Sequence, residues 1–404
     1  MTWVPGAAGG LYDVDNLPYG VVSHGDAKPR VAVRIGDYAL DVAPIAALGL
    51  GPDLGEVWQA PTLNPFLALG RDAWHTARAW LVELLSDDAH RATVEPHLHP
   101  LADVRTHLPI EIGDYIDFYA SIDHATNLGR ILRPDSPPLL PNWRHLPVGY
   151  HGRSGTVVES GTPVVRPLGQ RKASTDDTPT FGPSGRLDIE AELGFVIGTP
   201  SAHGDRVTTE EFADHVFGVF LLNDWSARDI QGWEGQPLGP HLAKSFATSI
   251  AAWITPLQAL ESARVELPGQ DPEPLAYLRT GERAGYDIDL AVDWNGTTVS
   301  RPPYSAMYWS PAQMLAHLTV NGASVRTGDI FASGTISGSA SDQVGSFVEL
   351  SHAGTRPVAL ADGTTRTFLE DGDEVAITAT APSNSGGRIG LAEVRGTVTT
   401  ARES

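Results

Sequence analysis

The stretch that decides the fold is Leu187-Asp188-Ile189-Glu190-Ala191-Glu192-Leu193-Gly194-Phe195-Val196-Ile197. Its odd positions are apolar, whereas its even positions begin with three acids. A period of two is typical of a β-strand, which places the carboxylates on one face and the apolar side chains on the other. One interpretation is an amphipathic strand with a solvated acidic face. Because neighbouring like charges on a sheet repel each other, the alternative is that these acids bind a divalent cation.

Length and composition favour a globular protein of two domains. The chain has 404 residues, of which 41% are hydrophobic and 19% charged, and this length exceeds what one core usually serves. It contains no cysteine, which excludes disulfides and thiolate metal ligands. We expect a cytoplasmic location, because the first residues lack the basic and apolar regions of a signal peptide. Apolar runs such as 216–222 are too short to span a bilayer.

The net charge of −21 argues against several classes of partner. Nucleic acids and anionic membrane surfaces should repel so acidic a chain. The acidic excess is spread along the chain, since blocks of five or more like charges are absent. We therefore expect a small-molecule ligand, with no nucleic acid and no membrane as partner.

The first 109 residues predict a supporting domain without convergent acids or bases. Short apolar segments broken by Gly and Asp suit a small β-barrel or sheet. Asn64-Pro65 then predicts the start of one helix, with Asn as its cap, that runs to Ser86.

Residues 110–404 predict a larger, mostly β domain, which makes the fold class mostly β (α+β). Apolar strands alternate with segments rich in Gly and Pro, and helices are few. Thr208 to Glu211 reads as a capping box that leads into a short helix, and Ser310 to Gln313 begins another. The predicted strands are 156–158, 193–197, 217–222, 288–294, 347–350 and 374–378.

Four acids of this region could form a metal site made only of oxygen ligands. They are Asp117, Glu190, Glu192 and Asp224. Carboxylates without thiolate or clustered imidazole suit hard cations, Mg²⁺ or Ca²⁺. Four negative ligands exceed the charge of one such ion, and Arg228 and Lys244 would restore the balance.

His124 is a candidate general base, because histidine titrates near neutral pH. Its ordinary alternative is a hydrogen-bonded core residue. A base needs an orienting partner, and Glu349 interrupts the predicted apolar strand 347–350. That glutamate could equally lie on the surface of an edge strand.

The run Ala332-Ser333-Gly334-Thr335-Ile336-Ser337-Gly338-Ser339 offers backbone N–H groups to an anion. It lacks the lysine of a phosphate loop and the glycine fingerprint between strand and helix, so nucleotide binding is rejected. No Gly-x-Ser-x-Gly nucleophile elbow surrounds a serine either.

Several long strings together resemble the fumarylacetoacetase family. The resemblance covers nearly the whole chain and is strongest between residues 117 and 246. The strings are 117–119, 124–127, 140–143, 146–153, 223–230, 238–246 and 332–339.

The resemblance implies a fold, an activity and an assembly. The family has a small N-terminal SH3-like barrel, here 1–109, and a larger C-terminal β-roll domain, here 110–404, and works as a homodimer. Its enzymes hydrolyse 4-fumarylacetoacetate to fumarate and acetoacetate, the last step of tyrosine breakdown. Two alternatives remain. The first keeps the metal but changes the reaction, to decarboxylation or hydration of a related oxo-acid. The second is a β-protein without catalysis that only binds a small acid or another protein.

The resemblance also implies roles for individual residues. The four acids would bind the metal, with Lys244 and Thr248 as accessory contacts. His124, oriented by Glu349, would activate water, while Arg228, Gln231 and Lys244 would stabilise the oxyanion and the departing enolate. The residues that would bind the substrate are Tyr119, Arg133, Tyr150, Gln231 and Thr335. One departure is Gly235, where familiar members carry a tyrosine that reaches the substrate.

Overall fold

The structure is a computed structural model that describes residues 1–173 and 175–402. The last two residues of the predicted C-terminal domain, 403–404, and residue 174 lie outside the described residues. No helix in the described part of the chain combines the length and the apolar character needed to cross a membrane.

The described chain is mostly sheet, which confirms the expected class, with a smaller N-terminal and a larger C-terminal domain. The N-terminal strands are Tyr19–His24 (β1), Arg30–Ile35 (β2), Tyr38–Asp41 (β3), Leu98–Pro100 (β4) and Val104–His107 (β5). The next strands are Tyr115–Phe118 (β6), Gly149–His151 (β7), Val157–Glu159 (β8), Val164–Val165 (β9), Leu168–Arg171 (β10), Thr180–Pro183 (β11), Leu187–Asp188 (β12), Ala191–Ile197 (β13), Val216–Asp224 (β14), Ser226–Ala227 (β15), Thr248–Ile250 (β16) and Trp253–Pro256 (β17). The remaining strands are Arg264–Val265 (β18), Gly285–Tyr286 (β19), Asp289–Trp294 (β20), Thr297–Ser300 (β21), Ile330–Ala332 (β22), Val358–Ala359 (β23), Thr365–Arg366 (β24), Glu374–Pro382 (β25) and Arg388–Thr399 (β26).

Most helices are short. They are Ala43–Ala46 (α1), Asn64–Leu67 (α2), Arg71–Ser86 (α3), Arg91–Val94 (α4), Ile122–Leu132 (α5), Phe212–His215 (α6), Arg228–Glu234 (α7), Pro311–Thr319 (α8) and Phe347–Leu350 (α9). The capping box predicted for α8 is present, because the Ser310 side chain accepts from the Gln313 N–H and the Gln313 side chain accepts from the Ser310 N–H.

A thirteen-stranded sheet runs through both halves of the chain in the order β4-β3-β2-β1-β17-β14-β13-β22-β6-β7, with β5, β8 and β16 joined at its sides. β1 pairs with β17, so the N-terminal strands continue the sheet of the C-terminal half. One hydrophobic core correspondingly extends from Val4 to Val398. A second sheet, β21-β20-β25-β26-β9, contains the long C-terminal strands.

The stretch 187–197 forms two strands rather than one. β12 ends at Asp188 and β13 begins at Ala191, and every residue from Leu187 to Ile197 is buried. β13 lies between β14 and β22, so both of its edges are hydrogen-bonded within the sheet. The interpretation of this stretch as a strand with a solvated acidic face is therefore wrong, and its carboxylates lie inside the protein.

Three other local predictions are wrong. The helix predicted from Asn64 to Ser86 is interrupted at Gly70, and Asn64 does not cap it, because its side chain binds the main chain of Glu111. Thr208 and Glu211 do bond to each other, yet the helix begins only at Phe212. Residues 347–350 form the helix α9 and not a strand.

Candidate active site

Sheet register brings the four predicted acids together. Asp117 in β6 lies beside Ala332 of β22, which in turn pairs with Gly194 of β13, the strand that carries Glu192. On the other side, Leu222 of β14 lies opposite Glu192, two residues before Asp224 at the end of that strand. One carboxylate oxygen from each of the four acids lies within 4.8 Å of the other three, and all four residues are buried. Buried carboxylates at this separation repel strongly unless cations compensate them.

Two cations from the protein compensate half of this cluster. Lys244 Nζ donates to both Glu190 and Asp224, at 2.7 Å from Asp224 Oδ2. Arg228 Nη1 lies 2.7 Å from Glu190 Oε1, and the Thr248 hydroxyl donates to Asp224 Oδ1 at 2.8 Å. Although burial opposes ionisation, Lys244 and Arg228 hold the pKa of Glu190 below its usual range.

The other two acids, Glu192 and Asp117, accept no hydrogen bond from Lys244 or Arg228 among the described residues. Both carboxylate oxygens of Glu192 and Oδ1 of Asp117 are buried without a hydrogen-bond partner among the described residues. Burial, and then the neighbouring carboxylates, raise the pKa of Glu192 and of Asp117 well above the ordinary values. Buried polar atoms normally find partners, so these three oxygens are free acceptors for a cation.

His124 and Glu349 form a buried pair beside the carboxylates. His124 lies in the first turn of α5, and its Nδ1–H donates to Glu349 Oε2 at 2.6 Å. The Glu349 carboxylate also accepts from Asn127 at 2.9 Å, from Ser346 at 2.7 Å and from Ser337. Although burial opposes ionisation, the His124 ring and these donors hold the pKa of Glu349 below its ordinary value. Glu349 is buried, so its alternative position on the surface of an edge strand is wrong, whereas the burial of His124 fits both a general base and a hydrogen-bonded core residue.

Arg228 is fixed by three acceptors at the start of α7. Its Nε donates to Asp188 at 2.7 Å, and its Nη1 contacts Glu190 and donates to Gln231 Oε1 at 3.1 Å. Its Nη2 is buried without a partner among the described residues. Although burial opposes the charge, Glu190 and Asp188 raise the pKa of Arg228, so the guanidinium stays charged.

A pocket of about 430 Å³ opens onto this arrangement. The predicted site residues that line it are Asp117, Tyr119, His124, Arg133, Tyr150, Glu190, Arg228, Gln231, Lys244 and Thr335. Glu192, Asp224, Thr248 and Glu349 are absent from this lining and lie behind it. The Thr335 hydroxyl is buried without a partner among the described residues, and the Tyr119 ring meets the His124 ring edge-on at 5.4 Å.

The glycine-rich run after β22 forms one wall of this pocket. Gly334 has φ +72°, and a Cβ there would lie 2.1 Å from the carbonyl oxygen of Phe118. Only glycine allows this approach, which places Thr335 in the pocket wall and Ser337 against Glu349. Gly235, the departure from the resemblance, ends α7 and does not line the pocket, although Leu238 and Gly239 after it do.

A larger surface cavity of about 710 Å³ near Arg206, Leu275 and Val320 has a different character. Glu210 is the one carboxylate among its lining residues. The smaller pocket is the one that the acid cluster and the His–Glu pair border, and we take it as the active site.

Sequence reasoning missed two residues that organise this site. Asn127 follows His124 by three positions on α5, so the helical period could have placed it on the same face. Asp188 belongs to the acidic positions of the opening stretch, and it binds Arg228 and the first N–H groups of α9. Only the long-range contact with α9 distinguishes Asp188 from a solvated acid, and sequence does not show such contacts.

Together, the fold and the site define a two-domain β-rich protein with a buried carboxylate metal-type cluster beside a His–Glu pair. Family models agree with this class: "Fumarylacetoacetase N-terminal" matches residues 15–109, and "Fumarylacetoacetate (FAA) hydrolase C-terminal" matches residues 115–399. The chain belongs to the fumarylacetoacetate hydrolase family.

Curated relatives and solved structures agree with this assignment. The chain is 45% identical over 413 residues to the fumarylacetoacetase of Homo sapiens, covering 98% of each chain. It is 46% identical to that of Caenorhabditis elegans over 403 residues, or 96% of each chain. The solved fumarylacetoacetate hydrolase of psychrophilic Exiguobacterium antarcticum shares the fold, with a TM-score of 0.56, 18% identity, and 96% of this chain and 100% of that chain covered.

Proposed function

We propose that this protein hydrolyses a carbon–carbon bond of 4-fumarylacetoacetate to give fumarate and acetoacetate, the last step of tyrosine and phenylalanine breakdown. Relatives that carry the name fumarylacetoacetase are 41–46% identical over most of the chain. The observation that carries the proposal is the 2.6 Å contact between His124 and Glu349 in the pocket that the acid cluster borders. Such a pair is what activation of water requires.

The carboxylate cluster fits a hard divalent cation. Glu192 and Asp117 supply three buried oxygens without partners among the described residues, and Glu190 and Asp224 lie within reach. Oxygen-only donors suit Mg²⁺ and Ca²⁺ alike. When bound, the cation supplies Lewis-acid polarisation and a template for the diketone oxygens. Thr248 positions Asp224 and is our candidate, with Lys244, for an accessory contact.

His124 takes the proton of the attacking water. Because its Nδ1–H donates to Glu349, its Nε2 is the nitrogen left to accept a proton. Water oxygen then attacks the carbonyl carbon of the fumaryl group, which becomes the new carboxyl carbon of fumarate, and the water proton passes to Nε2. The buried Glu349 carboxylate stabilises the imidazolium that results.

Breakdown of the tetrahedral adduct breaks the bond to the acetoacetate carbon. The electron pair leaves on acetoacetate as an enolate, and the proton held at His124 Nε2 returns to that carbon. Arg228 Nη2, without a partner among the described residues, is available to the developing oxyanion, with Gln231 and Lys244 beside it. Removing one good donor to an oxyanion typically costs roughly 100- to 1,000-fold in rate.

The remaining predicted residues bind the two ends of the substrate. Tyr119, Tyr150 and Thr335 offer hydroxyl groups to carbonyl and carboxylate oxygens, and Arg133 offers a charge at the pocket rim. A dianionic substrate is repelled by a chain of charge −21, and the cations in the pocket overcome that repulsion locally. Gly235 leaves the family's tyrosine position without a side chain, and the two effects that follow from this loss are weaker substrate binding and acceptance of another acylacetoacetate.

The architecture implied by the resemblance belongs to the same proposal. It comprises an SH3-like barrel in residues 1–109, a β-roll in 110–404 and a homodimer. The two family models, which end at 109 and begin at 115, support the boundary. The cytoplasmic location stays a prediction, and gel filtration tests the dimer.

The decisive experiment follows the absorbance of the diketone chromophore of fumarylacetoacetate with purified protein. We expect linear loss with Mg²⁺ or Ca²⁺, full suppression by a chelator, and fumarate and acetoacetate in equal amounts. Evolution of carbon dioxide or hydration without cleavage would instead identify the decarboxylase or hydratase alternative. A folded, metal-loaded protein without turnover across a wide pH range would favour a binding protein.

A further inference from the structure

Asp188 is fully buried and connects two parts of the site that are remote in sequence. It ends β12, where it pairs with Ser226, two residues before Arg228. Its Oδ2 accepts from Arg228 Nε at 2.7 Å and from the Val348 N–H at 3.1 Å, and its Oδ1 accepts from the Phe347 N–H at 2.7 Å. A single carboxylate therefore binds both the start of α7 and the start of α9.

The contact with α9 determines where Glu349 lies. The first N–H groups of a helix have no acceptor within the helix, and a four-residue helix has little stability of its own. No side chain caps α9 at Ser346, whereas Asp188 accepts from its first two N–H groups across 159 and 160 positions of sequence. Glu349 is the third residue of that helix, so a displacement of its N-terminus moves the carboxylate that holds His124.

The contact with Arg228 determines where the guanidinium points. A planar guanidinium held at Nε by a carboxylate keeps its two Nη groups in fixed directions. Here Nη1 meets Glu190, and Nη2 remains buried without a partner among the described residues. Loss of the Nε contact would let Arg228 collapse onto Glu190 and withdraw its free donor.

We propose that Asp188 is a positioning residue that aligns the water-activating His124–Glu349 pair with the Arg228 donor. It does not line the pocket, and its remaining hydrogen bond is a local one from the Ile189 N–H at 2.8 Å, so its long-range action passes through Glu349 and Arg228. This inference rests on the proposed function. In this proposal, the buried Asp188 side chain fixes the position of His124, the proton acceptor, relative to Arg228, the oxyanion donor.

The test is Asp188→Asn, with Asp373→Asn as the matched control. The amide that replaces the Asp188 carboxylate keeps its shape and one acceptor, but its NH₂ faces either the Arg228 donor or the α9 donors. Asp373 is also buried and also accepts from an arginine, Arg366, and from a backbone N–H, that of Glu370, away from the pocket. Both variants lose stability, and only Asp188→Asn should lose turnover.

We expect kcat for fumarylacetoacetate to fall about 10- to 100-fold in Asp188→Asn, the usual cost of losing an outer positioning contact. KM should rise only a few-fold, and Mg²⁺ affinity measured by calorimetry should be unchanged. In the metal-free protein, the downfield proton NMR signal of His124 Nδ1–H, assigned by its loss in His124→Gln, should shift in Asp188→Asn and stay in Asp373→Asn.

The second measurement is the coupling between the effects of the Asp188, Glu349 and Arg228 substitutions on kcat. If Asp188 acts through Glu349 and Arg228, adding Asp188→Asn to the double variant Glu349→Gln/Arg228→Gln should cost little further rate. Full additivity, or equal kcat losses in Asp188→Asn and Asp373→Asn, would overturn the inference. Should Asp188→Asn fail to fold, Asp188→Ser tests the same link, because its hydroxyl serves at most one of the two helices. Wild-type protein assayed alongside separates the two claims, since inactive wild type contradicts the proposed function and not the role of Asp188.

Discussion

His124 Nδ1 lies 2.6 Å from Glu349 Oε2, although 225 positions separate the two residues in the chain. The contact is buried, and three further donors hold the glutamate in place. A histidine fixed in this way presents one defined nitrogen to the pocket.

Replacing His124 by Gln should reduce hydrolysis by roughly 100- to 10,000-fold, the usual contribution of a general base. Metal affinity should be unchanged, because His124 is not among the clustered ligands. The matched control is His317→Gln on α8, whose ring bonds only to Tyr277 among the described residues. Steady-state kinetics and calorimetry with Mg²⁺ measure both quantities, and unchanged turnover would remove His124 from the mechanism.

Stability should depend on pH through Glu349. Its pKa is lowered in the folded protein from an ordinary value of 4.5, so its ionised form stabilises the fold at higher pH. That contribution is complete above about pH 4.5 and is lost as the pH falls through the lowered value. The difference in unfolding free energy between wild type and Glu349→Gln should therefore shrink below about pH 4.5. Urea titrations at several pH values measure it, and a constant difference would contradict the assignment.

Divalent cations should stabilise the folded chain. Burial and like charges raise the pKa values of Asp117 and Glu192, so without a cation their ionised forms destabilise the fold as the pH rises. A cation at about one hundred times its dissociation constant adds about 2.7 kcal/mol. Thermal melts should show a rise in Tm with Mg²⁺ or Ca²⁺ that vanishes in Glu192→Gln. At a pH above the raised pKa of Glu192, the same variant should melt higher than metal-free wild type, because one repelling charge is gone.

Thr248→Val should weaken cation binding about 10-fold. The hydroxyl donates to Asp224 Oδ1 at 2.8 Å, and losing such an outer contact typically costs roughly 10- to 100-fold in metal affinity. Thr255 is the matched control, since it is also buried and its hydroxyl has no partner among the described residues. Thr255→Val should therefore bind the cation normally and lose no stability. Equal affinities in the two variants would exclude a role for Thr248.

Local patterns predicted the β character and the α8 capping box, but not the tertiary role of several segments. Residues 347–350, Phe-Val-Glu-Leu, include residues that favour strands, yet they form a helix whose first N–H groups donate to the distant Asp188. Asn64 has the sequence of a helix cap, yet its side chain binds the distant Glu111 instead. In each case a long-range hydrogen bond overrides a local preference.

The candidate site was predictable only in part for the same reason. Spacing alone could not show that Asp117 meets Glu192, because that contact depends on the register of β6, β22 and β13. The resemblance supplied the grouping that periodicity lacked. Neither periodicity nor the resemblance pointed to Asp188. Its place in the period-two pattern is like that of its acidic neighbours, and its hydrogen-bond partners lie far along the chain.

The pairing of Tyr19 with Ile254 and of Gly20 with Trp253 has a consequence for any shortened version of this enzyme. A fragment that lacks the N-terminal strands would expose an unpaired edge of β17. Strands from other copies of the fragment could then pair with that edge. By pairing with β17, the first hundred residues cover this edge and oppose polymerisation, whether or not they contact a substrate.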